Sequence, residues 1–197
     1  MGVPFVGLTG GLGAGKSEAL RAFGELGAAT LSTDAVVHDL LTQPELRDVV
    51  SARLGSDVVR NGKLDRSAIA ERVFVDEDAR GWLEGELWPR VGARVAAWKT
   101  EVERSEPPPR AAVVEVPLLF ESGMEAVFDK TVAVVADEAL RAERAAARGH
   151  AGVAERTGRQ LTQEQKVQKA DFTVRNDGSL AEFREALSLI LAKLEAT

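Results

Sequence analysis

One short stretch limits the possible folds of this chain more than any other. Residues 10–17 read Gly10-Gly11-Leu12-Gly13-Ala14-Gly15-Lys16-Ser17, which fits the pattern G-x-x-x-x-G-K-[ST]. An apolar, β-prone run, Val3–Leu8, precedes it, and a helical pattern follows from about Gly15 to Leu26, ending at Gly27. Strand, glycine loop and helix start, in that order, is what phosphate binding requires. Successive backbone N–H groups must turn inward around phosphate oxygens, which calls for a loop with little Cβ obstruction. The helix N-terminus adds partial positive charge. The pattern therefore predicts a nucleotide-phosphate site built from Gly11, Leu12, Gly13, Ala14, Gly15, Lys16, Ser17 and the adjoining Glu18. Lys16 is placed to reach the β- and γ-phosphates, and the Ser17 hydroxyl to ligate Mg²⁺.

The rest of the chain alternates strand-like and helix-like segments. Ala28–Leu31 reads as a second strand, with Asp34 at a helix start. From there to about Ser105 the pattern is helical in pieces, broken at Pro44, Gly55, Asn61-Gly62 and Pro89. Asp65 reads as the N-cap of a helix over Arg66–Phe74. Pro89 suits the first turn of a helix over Arg90–Arg104, and Trp88 beside it is expected in the core. Strands follow at Ala111–Val116, Thr131–Ala136 and Phe172–Arg175, and helices at Asp137–Gly149 and Leu180–Leu194, with Asn176-Asp177-Gly178 as a turn. Such alternation implies an α/β protein: a P-loop three-layer sandwich with a central parallel sheet. The expected organisation is a single domain over 1–197, with a helical substrate-side insertion at about 43–108 and an arginine-rich lid at about 141–165.

Charge and composition narrow the ligand. The net charge of −6 argues against general nucleic-acid binding, which needs a dominant positive field. Residues 141–169 run the other way. Seven basic residues there face three acids, so the segment is +4 and the remainder −10. A local basic patch on an acidic protein suits a small polyanion. No apolar run approaches the ~20 residues that span a bilayer, and the N-terminus has no basic segment before its apolar stretch. There is no cysteine. These features lead us to expect a cytoplasmic protein with no membrane or nucleic-acid partner and no obligate protein partner. The guanine-reading pattern Asn-Lys-x-Asp is missing. An arginine-rich late segment instead suggests a small-molecule kinase whose lid brings arginines onto the transferring group.

Five segments, in order, resemble the dephospho-CoA kinase family over nearly the whole chain. They are Thr9–Ser17; Ser32-Thr33-Asp34; Val114-Glu115-Val116-Pro117-Leu118-Leu119-Phe120-Glu121; the set Arg144, Arg148, Arg156 and Gln160; and Ala170-Asp171-Phe172 with Asn176-Asp177-Gly178. The resemblance implies transfer of the ATP γ-phosphoryl to the ribose 3′-hydroxyl of dephospho-CoA. It implies that Asp34 accepts the hydroxyl proton or orients that hydroxyl, with a plain helix N-cap as the bland alternative. Glu115, where the family often has Asp, would hold Mg²⁺ through water. Arg144 and Arg148, four apart on one helix face, would act as catalytic lid arginines, Arg148 also binding ATP and Arg144 the acceptor. His38, Pro117, Leu118 and Arg156 would line the acceptor side, Glu121 would either contact the acceptor or cap its own loop, and Asn176 and Gly178 would lie beside the adenine.

The chain departs from the family pattern at four places. Ser32 stands for Asp, Trp88-Pro89 for His-Pro, His38 for Arg, and Glu18 for a small or β-branched residue. Three of the four fall on the acceptor side. Two other readings stay open at this level: another nucleoside or small-molecule kinase on the same fold, and a non-catalytic nucleotide-binding module.

Overall fold

Phe5–Gly10 is buried along its whole length, the mark of a strand covered on both faces. The computed structural model describes residues 2–147 and 160–196. In chain order the elements begin with β1 (Phe5–Gly10), α1 (Lys16–Glu25), β2 (Ala29–Ser32), α2 (Thr33–Leu40) and α3 (Pro44–Leu54). A small hairpin, β3 (Val59–Arg60) and β4 (Lys63–Leu64), leads to α4 (Arg66–Val75) and α5 (Glu77–Glu103). Then come β5 (Ala112–Glu115), β6 (Lys130–Val135), α6 (Glu138–Ala147), α7 (Gln163–Lys169), β7 (Phe172–Arg175) and α8 (Leu180–Glu195). The chain forms two compact units, one of residues 1–32 with 98–197 and one of residues 33–97.

The first unit is built on a five-stranded parallel sheet in the order β2-β5-β1-β6-β7. β1 occupies the centre, with Leu8 in register with Glu115 on one side and Val132 on the other. From β1 the chain passes to the edge strand β2, returns to β5 beside β1, and then crosses to β6 and β7 on the other side. In open α/β sheets, ligands bind outside the carboxyl ends of the strands at such a switch point.

Successive β1 side chains serve opposite faces. Val6 and Leu8 join Val113, Val132, Val134 and Val174 in a core closed by Phe23 of α1 and Phe183, Leu187 and Leu191 of α8. On the other face Gly7 lies against Phe128 and Leu119, where an added Cβ would meet them at 2.9 and 3.1 Å. The Gln163 side chain closes the end of β6: its amide accepts from Ala136 N–H and donates to Ala136 C=O, both at 2.9 Å.

The second unit holds α2, α3, the hairpin, α4 and most of α5. Asp65 caps α4 as expected, accepting from Ser67 N at 2.9 Å and Ala68 N at 3.2 Å. The break at Asn61-Gly62 is found, while the expectations for Pro89 and Trp88 fail. Asn61-Gly62 is more than a break between helices. With φ of 52° and 73° it is the two-residue turn of the β3–β4 hairpin, a turn that requires left-handed backbone. Pro89 does not start a helix but lies inside α5. The reason is the apolar row Ala79, Leu83, Leu87, Val91 and Val95, buried at four-residue spacing and running straight past the proline. Tertiary burial outweighs the one backbone hydrogen bond that Pro89 forfeits. Trp88 beside it is 46% exposed, so it is not a core residue.

β7 is tied to β6 at its start by Asp171. One carboxylate oxygen accepts from Thr131 N at 2.8 Å and Thr131 Oγ1 at 2.7 Å, and Lys130 Nζ lies 3.6 Å from the other. Partial burial pushes this carboxyl upward. The Thr131 hydrogen bonds and the Lys130 charge outweigh that push and hold it below its ordinary value. A folded-state value below the unfolded one stabilises the fold above the usual carboxylate range, and the benefit is lost as pH falls through the folded value. Thermal melts of Asp171→Asn and wild type are therefore expected to differ at pH 7, with the difference shrinking steadily as pH is lowered through and below the usual carboxylate range. A constant offset across that range would assign Asp171 no electrostatic role.

Candidate active site

The loop leaving β1 carries three glycines with positive φ: Gly10 at 155°, Gly13 at 75° and Gly15 at 104°. Gly15 is the N-cap of α1, and no side chain caps that helix. Its N-terminal N–H groups are thus left to the loop and to whatever the loop holds. Lys16 Nζ curls back over the loop to the Gly11 carbonyl at 3.2 Å. Ser17, on the first turn of α1, is exposed.

Two side chains brace this loop from outside. Asn176, which is buried, donates from Nδ2 to the Ala14 carbonyl at 2.9 Å, and its own N–H bonds Val135 C=O at 2.8 Å. Arg141, on α6, donates from Nε to the Leu12 carbonyl at 3.0 Å. Arg144, one turn further along α6, donates from Nη1 to the Asn176 carbonyl at 2.9 Å. The fit allows no side chain at Gly13 or Gly15. A Cβ on Gly13 would meet the Arg141 carbonyl at 2.3 Å, and one on Gly15 the Asn176 amide at 2.1 Å. Gly178, two residues past Asn176, is exposed and lies just before the Ser179–Glu182 capping box of α8.

β5 delivers the acidic side of the site. Glu115 ends that strand in register with both Leu8 and Ser32, and is 5% exposed. Pro117 and Leu118 follow, half-buried. The Pro117 carbonyl accepts from Thr9 Oγ1 at 3.3 Å and from Lys166 Nζ at 2.9 Å. Glu121 ends the loop with its Oε1 held by Lys166 Nζ at 2.9 Å and by Leu161 N–H at 2.8 Å. In the second unit, Asp34 and His38 stand one turn apart on α2, both exposed. His38 Nδ1 lies 3.4 Å from Arg66 Nη1. Arg148 and Arg156 lie outside the described residues.

Residues 4–182 match the family described as dephospho-CoA kinase. The chain belongs to the dephospho-CoA kinase family. Curated members include the dephospho-CoA kinase of Protochlamydia amoebophila, 34% identical over 96% of this chain and 96% of that protein. That of Deinococcus radiodurans is 37% identical over 98% of this chain and 93% of its own length. A crystal structure from Thermus thermophilus superposes with a TM-score of 0.81 at 30% identity, covering 98% of this chain and 99% of that one. The dephospho-CoA kinase of Campylobacter jejuni gives a TM-score of 0.65 at 25% identity over 98% and 97% of the two chains. The P-loop fold with a central parallel sheet and flanking helices is thereby shared with a named member of the family.

Sequence reasoning picks out the glycine loop and the Glu115–Glu121 segment, but it takes Arg141 only as part of a possible solvated stripe with Arg144 and Arg148 and gives Lys166 no role of its own. Arg141 shares a helix face with Arg144 at three-residue spacing, a signal that was legible. Lys166 sits in a short polar helix whose sequence gives no sign of burial, yet it is 1% exposed. Asn176 yields a direct test of the brace. Asn176→Ala leaves the Ala14 carbonyl unpaired beside the loop, at a cost of about 1–3 kcal/mol. The expected result is a lower melting temperature with ATP affinity weakened about tenfold. ATP binding by calorimetry at wild-type strength would show that the loop holds its shape unaided.

Proposed function

We propose that the chain transfers the γ-phosphoryl group of ATP to the ribose 3′-hydroxyl of dephospho-CoA, giving coenzyme A and ADP. The observation that carries this reading is the braced glycine loop at the carboxyl end of the central strand, in a chain of this family. Phosphoryl transfer needs little covalent chemistry from the protein. It needs in-line positioning and stabilisation of charge on the transferred group.

The loop N–H groups and the start of α1 would hold the β- and γ-phosphates, with Lys16 bridging them. Mg²⁺, when bound, would neutralise charge on those phosphates. Ser17 and, through water, Glu115 would hold it. A hydroxyl on the first turn of α1 and a buried carboxylate at the end of β5 are hard oxygen donors that fit Mg²⁺, which keeps several waters and takes few protein oxygens beside phosphate. Asp34 would accept the proton of the 3′-hydroxyl or orient that hydroxyl. His38, Pro117, Leu118 and Glu121 would face the acceptor, and Gly178 with the Asn176 backbone the adenine. Arg144, with Arg148 and Arg156, would stabilise charge on the transferring group and hold the acceptor. We place the reaction in the cytoplasm, on a small acceptor and away from nucleic acid, in keeping with the net charge of −6. No helix among the described residues is long and apolar enough to cross a membrane.

An ADP-release assay across dephospho-CoA, adenosine, AMP and CMP tests the acceptor. Turnover is expected with dephospho-CoA at least about 100-fold above the others, and preference for any of the other three would overturn the assignment. Asp34→Ala is expected to keep ATP binding and to lose about 10²–10⁴-fold in kcat. Wild-type turnover in that variant removes Asp34 from the mechanism. Lys16→Ala should fold normally by circular dichroism and lose about 10²–10³-fold in kcat, while near-native kcat would leave the cation without a role in transfer.

A further inference from the structure

Lys166 is the most deeply buried charged side chain among the described residues, at 1% exposure. An ammonium group has three N–H donors, and here each has an acceptor. Nζ lies 2.9 Å from the Pro117 carbonyl, 2.9 Å from Glu121 Oε1 and 3.4 Å from Thr9 Oγ1. These acceptors belong to separate pieces of the site. Pro117 and Glu121 are the two ends of the loop that follows β5. Thr9 is the last side chain of β1 before Gly10 and the phosphate loop. The Thr9 hydroxyl in turn donates to the Pro117 carbonyl at 3.3 Å, closing a ring of contacts.

Glu121 is committed as well. Its side chain is 10% exposed, and Oε1 also accepts from Leu161 N–H at 2.8 Å, just before α7 begins. Oε2 is buried and has no hydrogen-bond partner among the described residues. Burying an ion pair is costly, so its worth here has to be sought in the geometry it enforces. The geometry is specific: one point charge fixes both ends of a five-residue loop against the strand that launches the phosphate loop.

We propose that Lys166 is a positioning residue for phosphoryl transfer, fixing the 117–121 loop, and with it the acceptor face of the site, relative to the phosphate loop. This rests on the reading above that Pro117, Leu118 and Glu121 face the acceptor. Lys166 itself touches neither substrate. Its effect passes through the Pro117 carbonyl and the Glu121 carboxylate, and it bears on the acceptor far more than on ATP.

Lys166→Met, assayed well below its melting temperature with each substrate varied in turn, tests this. The expected result is a KM for dephospho-CoA raised about tenfold or more, with the KM for ATP within about twofold of wild type. A purely structural role would lower the fraction of folded enzyme, and hence apparent kcat, while leaving both KM values alone. Lys166→Met also strands a buried carboxylate. The double variant K166M/E121Q removes that charge, and Glu121→Gln alone sets its baseline, because Glu121 is itself placed on the acceptor face. Should Lys166→Met not fold, the double variant is expected to raise the KM for dephospho-CoA well above that of Glu121→Gln with the KM for ATP unchanged. A KM equal to that baseline would overturn the proposal. In a folded variant, two unchanged KM values or an equal rise in both would overturn the proposal.

Hydrogen exchange supplies a readout that needs no substrate. The amides of Ser122 and Met124 bond Leu118 and Leu119 carbonyls at 3.0 and 3.1 Å. In Lys166→Met they are expected to exchange about tenfold faster, with β6 unchanged. Unaltered exchange would overturn the locking role whatever the enzyme does. A wild-type protein inactive on dephospho-CoA would instead overturn the functional reading, and exchange would still decide the role of Lys166.

Discussion

Everything at the candidate site depends on a steric constraint. The loop after β1 can wrap a phosphate only if its backbone enters left-handed conformations and its outer surface is bare. Both conditions are met at Gly13 and Gly15, where the positions that side chains would occupy are taken by the Arg141 carbonyl and the Asn176 amide. The glycines therefore serve two purposes at once: they permit the turn, and they make room for the residues that hold it. Propagation outward is short. Asn176 reaches the loop because β7 is paired to β6, and Arg141 reaches it because α6 starts directly after β6. The sheet is thus the instrument that aims both braces.

Much of this was visible in the sequence, and the visible part has a common character. The phosphate loop is a local pattern whose chemistry sits in consecutive residues, so spacing alone was enough. The strands Phe172–Arg175 and Ala112–Glu115 are short apolar runs between turn-forming residues, and each lies at or within a residue of where it was expected. The Asp65 cap is equally local. What escaped depended on distance or on burial. Pro89 breaks a helix by local rules, but the buried row from Ala79 to Val95 carries the helix through it. Asn61-Gly62 was legible as a hairpin turn, yet the two-residue strands around it give no alternation long enough to notice. Lys166 is the clearest case. Its partners are 45, 49 and 157 positions away, and nothing near it in the chain announces that a polar helix hides a charge.

Lys16, Ser17 and Glu115 are placed by the same strand-and-loop unit, so their proposed duties follow from one piece of architecture. Asp34 and His38 belong to the other compact unit, exposed on α2, and their proposed roles come from position in the chain and from the family. The departures at Ser32, His38 and Trp88 concentrate where the acceptor would be read, while the loop that would read ATP matches its motif throughout. Glu18, next after the motif, is the one departure on the ATP side.

The Gln163 amide carries a different lesson. By offering one donor and one acceptor to Ala136, it imitates the peptide group of an absent neighbouring strand. A helix thereby finishes a sheet, and β6 ends without a further residue of extended chain. Because the imitation is uncharged, neither acid nor salt weakens it, in contrast to the ionic contact that Lys166 makes from the same helix. A carboxylate of almost identical shape could not stand in, since its second oxygen would face the Ala136 carbonyl, acceptor against acceptor. At this position the closest isostere is among the least conservative of exchanges.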